Sequence, residues 1–199
     1  MKDTSFIKLN FPVKKWTTYN FLGWLLGTIF VLILSSSFDA IGIENLQFFV
    51  AVGIGLGIGT AQWIVLKRIT EIKKNWITVT VIGLAIPFLT ADTLRYFELL
   101  NLKSLFIPFC VGIGSLLVGF LQSKLLKNYN IGMLNWIIIS FLSWTLIALA
   151  VYSVEYTHLI SKNVLFGFIT NLVLLLSGGI ILGIITGKHL KRNLQVELN

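Results

Sequence analysis

The residues with the greatest chemical potential are Asp92, Arg95, Tyr96, Tyr152, Glu155, Tyr156 and His158, ionisable and phenolic groups in a chain that is otherwise poor in them. Asp92 and Arg95 stand three apart, a spacing that lets two side chains pair along one helix face. Carboxylates beside a histidine can act as acid, base or metal ligands. His158 and His189 are the only histidines, however, and they flank opposite ends of the last apolar run. No H-E-x-x-H spacing and no Ser-His-Asp set is present. Cys110 is the single cysteine, has no motif around it and allows no intrachain disulfide. The residues therefore predict no catalytic centre, no metal and no cofactor. They predict a polar cluster that is either an ion-pair network or a ligand site, with intramembrane enzymology ranked last.

What must position this cluster is a stack of membrane helices. Hydrophobic residues make up 56% of the 199, charged residues 12%, and the mean hydropathy is +0.87, well beyond a soluble domain. Six apolar runs, at 17–38, 46–66, 77–97, 104–124, 136–156 and 163–187, each approach the ~20 residues that cross a bilayer. Their apolar character is continuous rather than alternating, which predicts helices and excludes a β-barrel. Asp92 and Arg95 then sit near one end of the third run. Ionisable groups at that depth suggest function, although side chains near helix ends can also reach water.

The runs repeat. Trp16, Trp76 and Trp136 are 60 residues apart, Gly59, Gly119 and Gly179 share the period, and Gln62 matches Gln122 as Leu66-Lys67 matches Leu126-Lys127. The fold class is thus an all-α membrane protein with six spans, arranged as three helical hairpins. The expected divisions are an arm at 1–15, hairpins at 16–75, 76–135 and 136–187, and a tail at 188–199. The same period equates Arg95 with Glu155, so the two are expected at one depth and paired. The three Trp residues are expected as interfacial anchors.

The even-numbered helices carry small-residue stripes. Gly55 and Gly59 lie on one face with Gln62, and Ser115 and Gly119 lie likewise with Gln122. Gly179 and Gly183 continue the theme. Such stripes allow close helix approach, and an amide beside them supplies an interhelical hydrogen bond. The Gln62 and Gln122 amides read as polar packing residues, with a polar site as the competing role. The period places Leu182 at the third amide position, so this feature is expected twice, not three times.

The net charge of +8 is unevenly distributed. The arm, the second and fourth loops and the tail hold 13 of the 16 basic residues, leaving Arg95, Lys103 and Lys162 on the other side. Short basic loops stay cytoplasmic, so both termini are expected inside. The basic excess predicts anionic lipid headgroups as partners and no nucleic acid.

The series Trp16-x6-Gly23-Trp24-x2-Gly27, followed by Gly55-x3-Gly59-x2-Gln62-Trp63-x2-Leu66-Lys67-Arg68, resembles a loose class of bacterial multi-pass membrane proteins. Those proteins repeat a Trp-led helix and a G-x-x-Q-W-x-x-x-L-R type helix end. The resemblance covers the first two repeats, weakens in the third, and implies a bacterial inner-membrane location without an activity. A scaffold or accessory subunit with a membrane-protein partner is the expected role, with a binding or transport module for small or lipophilic ligands as the alternative.

Overall fold

The computed structural model describes residues 6–43, 46–157 and 163–197. Among the described residues six helices are long and apolar enough to cross a membrane. They are α1 (Val13–Asp39), α2 (Phe48–Leu66), α3 (Asn75–Tyr96), α4 (Phe106–Leu125), α5 (Met133–Tyr152) and α6 (Val164–Asn193). Helices satisfy their own backbone groups, which hydrocarbon cannot do for them. The chain is an all-helical, multi-pass membrane protein.

Each helix packs on its neighbours in sequence, and α6 returns to α1, so the six close into a ring. Glycines set how closely the helices approach. A Cβ on Gly57 would collide with the backbone of Gly23 and Gly27, which brings α1 and α2 into backbone contact. Gly55 meets Val81 Cα and Gly59 meets Ile77 Cα across the α2–α3 seam, with 2.9 and 3.1 Å left for a Cβ. Gly119 meets Ile137 Cα across α4–α5 at 2.9 Å. Along α6, Gly179 faces Phe21 Cα at 2.7 Å and Gly183 faces Thr17 Cα at 2.6 Å.

A short antiparallel ladder closes the ring at one end. Phe6–Lys8 (β1) pairs with Gln195–Glu197 (β2), so the arm and tail lie together. Phe11 is buried edge-on against Trp16 at 5.3 Å. The segment before α1 is therefore clasped to the tail, and α6 continues as helix past residue 187 as far as Asn193. The loops rich in lysine share this end, since Tyr129 Oη accepts from the Glu71 amide at 2.7 Å.

Two apolar clusters stack along the ring. Trp16, Trp76, Trp136, Leu66, Leu126 and Leu190 belong to the one nearest the termini, while Trp24, Ile58, Phe88 and Trp144 belong to the other. Trp16, Trp76 and Trp136 are 0, 0 and 1% exposed. They are core residues of the ring, which corrects their expected role as interfacial anchors. An indole placed inside a bundle needs a partner for its N–H, and each of the three has one.

Candidate functional site

The indole partners form a recurring layer. Trp76 Nε1 donates to Gln62 Oε1 at 3.0 Å, and Gln62 Nε2 donates to Asn20 Oδ1 at 2.9 Å. One amide thus joins α1, α2 and α3. Gln122 repeats this between α3 and α5, accepting from Trp136 Nε1 at 3.2 Å and donating to Thr80 Oγ1 at 2.9 Å. At the closing seam Trp16 Nε1 donates to Thr186 Oγ1 at 2.9 Å.

That third contact lies one helical turn beyond its expected position. Gly183 meets Thr17 as Gly119 meets Ile137, Thr186 serves Trp16 as Gln122 serves Trp136, and Leu190 is fully buried like Leu126 and Leu66. Leu182 is a buried apolar residue of the upper cluster instead. Four extra residues, one turn of helix, separate the third copy from a strict period of 60. The signal was present in the sequence: Leu190-Lys191-Arg192 copies Leu66-Lys67-Arg68 once that turn is allowed.

Among the described residues the polar cluster does not converge into one site. Asp92 is 3% exposed, and its Oδ2 accepts from the backbone N–H groups of Gln47 and Phe48, both at 2.8 Å. Neither Gln47 nor any other residue of α2 caps that helix with its own side chain. The carboxylate of α3 therefore caps α2 across the seam, where the helix dipole favours negative charge. Arg95 Nη2 donates to the other oxygen, Oδ1, at 3.0 Å, and its guanidinium lies 4.9 Å from the Phe106 ring centre. Glu155 is exposed on the 3-10 turn Ser153–Tyr156, so the expected Arg95–Glu155 pair is not formed.

Tyr152 and Tyr156 bond each other at 2.6 Å, and Tyr96 is 82% exposed. His158 lies outside the described residues. Among the described residues no three His, Cys, Asp or Glu side chains group around a metal position. Cys110 is buried, and its thiol lies 3.8 Å from the Pro87 carbonyl oxygen.

The feature that sequence reasoning missed is a cavity of about 300 Å³ inside the ring, on the far side of the indole layer from the termini. All six helices line it, with Val31, Ile54, Phe88, Val111, Trp144 and Leu176 as one contributor each. Three of its lining residues are exposed, Thr28, Leu172 and Leu175, and these belong to α1 and α6. The exposed part of the lining therefore belongs to these two helices. Below it Trp24 joins them, donating from Nε1 to the Leu175 carbonyl at 2.8 Å and filling the space beside Gly178. No single helix shows such a space by its pattern, because it exists only once the ring has closed.

Ring, indole layer and cavity together define a six-span integral membrane protein with an apolar interior. No protein family, no curated protein and no solved structure matches the chain.

Proposed function

We propose that the protein binds a lipophilic small molecule or a single lipid chain inside the ring, admitted from the bilayer between α1 and α6. The cavity carries this reading. Left empty, about 300 Å³ of apolar space would cost its lining the dispersion contacts that a close-packed interior makes. Water has no polar partners there, and apolar cavities stay dry. A hydrocarbon occupant removes that cost and needs no hydrogen bond. The basic end faces the cytoplasm on this proposal, in a bacterial inner membrane, as the distribution of lysines and arginines and the sequence resemblance both support.

Native mass spectrometry after mild detergent extraction tests the proposal. A retained lipophilic adduct is expected, and Ala148→Phe, which fills the cavity from a buried wall position, is expected to abolish it while the fold persists. A wild-type protein without adduct, or an unchanged adduct in Ala148→Phe, sinks the reading.

A scaffold role rests on a different observation. The outer half of α6 presents Val164, Leu165, Phe168 and Val173 at 61–86% exposure, a face open to a neighbouring helix. It predicts a stoichiometric membrane-protein partner in the same extract.

A further inference from the structure

On the outside of the α1–α6 seam, at the end carrying the termini, lies a groove of about 600 Å³. Lys14 and Lys188 stand at its mouth, Thr17 and Thr18 follow, and Phe21, Ile180 and Ile184 continue it towards the bilayer midplane. Lys188 also borders a second recess of about 510 Å³, shared with Lys8, Lys191 and Arg192. The five cations Lys8, Lys14, Lys188, Lys191 and Arg192 are all exposed. Among the described residues none has an ion-pair partner, and none of those lining either recess is an aspartate or glutamate.

From this geometry we infer a site for one anionic phospholipid, separate from the interior cavity. The phosphate lies between Lys14 and Lys188, beside the recess that Lys188 shares with Lys8, Lys191 and Arg192. An acyl chain runs down Phe21, Ile180 and Ile184. Polarity divides along the groove as it does along a phospholipid: cationic at the headgroup level, hydroxyl-bearing at the glycerol level, apolar below. A soluble phosphate matches only the first of these levels, so the occupant is a lipid. The position also has a physical consequence. Gly179, Gly183 and Gly187 bring α6 directly onto α1, so the groove runs along the outside of the junction where first and last helix meet. A bound lipid covers it and braces the junction where the ring closes.

The test uses the full chain in detergent, titrated with phosphatidylglycerol or phosphatidylcholine and read by native mass spectrometry. Wild type is expected to retain one phosphatidylglycerol in preference to phosphatidylcholine. Lys14→Gln with Lys188→Gln is expected to weaken that retention by roughly 30-fold, taking the usual attraction of a lysine at an anionic surface for each. Lys67→Gln with Lys127→Gln makes the same charge change elsewhere on this end and should leave it intact. Equal loss in both double variants, or no loss in the first, overturns the site. Displacement of the lipid by glycerol phosphate alone would also overturn it, since the groove would then be reading only the anion. The cavity variant Ala148→Phe should retain phosphatidylglycerol, which separates this site from the interior one.

Discussion

Trp16 and Thr186, 170 residues apart, are joined by a 2.9 Å hydrogen bond from indole to hydroxyl that ties the first helix to the last. It is the counterpart of Trp76 on Gln62 and Trp136 on Gln122. The ring therefore closes with the same chemistry that holds the α2–α3 and α4–α5 seams.

Removing the Thr186 hydroxyl should leave the buried Trp16 N–H unsatisfied, so Thr186→Val is expected to lower the unfolding free energy in detergent by about 1–3 kcal/mol. Trp16→Phe should cost less through this bond, because the Thr186 hydroxyl keeps its own bond to the Leu182 carbonyl. The double variant should cost clearly less than the sum. A fully additive cycle would show that the bond contributes nothing.

The glycines separate into two groups. Gly57→Ala should be among the most damaging single substitutions, since its Cβ would enter the α1 backbone. Gly112→Ala and Gly167→Ala have nothing within 4 Å of the new methyl and should be neutral or stabilising by up to ~1 kcal/mol. Thermal unfolding of the three variants side by side decides this, and a neutral Gly57→Ala would contradict the backbone contact.

Asp92 holds the start of α2, so Asp92→Ala should destabilise by about 2 kcal/mol, at the upper end of a lost helix cap. Asp92→Asn should recover part of it, because the amide oxygen can still accept a backbone N–H. Arg95→Ala and Glu155→Ala should be additive in a double-mutant cycle, given that these side chains do not meet. Strong coupling between them would reveal a contact absent from this arrangement.

Labelling addresses the sidedness of the membrane. In a Cys110→Ala background, single cysteines at Lys73, Lys127 and Lys191 should all react with an impermeant reagent from the same face. A cysteine at Asp39 should react from the opposite one. Any split among the first three would break the proposed topology.

The six helices were legible because continuous apolar runs of membrane length admit few alternatives; the expected run at 46–66 and the observed α2 (Phe48–Leu66) differ by two residues. The Asp92–Arg95 pair followed from a spacing of three. The roles of Trp16, Trp76 and Trp136 were misassigned because an indole near a helix end fits an interface as well as a core. Only the partner on the next helix distinguishes the two. Thr186 was hidden by a fixed period of 60, which pointed to Leu182. The hydrophobic pattern of α6 is too uniform to reveal the extra turn, although Leu190-Lys191-Arg192 carried the clue. Arg95 and Glu155 matched by period but not in space, because Glu155 has left the helix for a 3-10 turn. The cavity belongs to no segment and leaves no mark on any one of them.

The seam between α1 and α6 sets an order of events during biogenesis. Five inserted helices form an open crescent in which the Trp16 indole still faces lipid with its N–H unsatisfied, a state that costs energy in hydrocarbon. Relief arrives only with the arrival of Thr186, so the newly made chain exposes a distinct unfinished edge until its final crossing is in place. A membrane chaperone or protease could tell immature copies from finished ones by that edge alone.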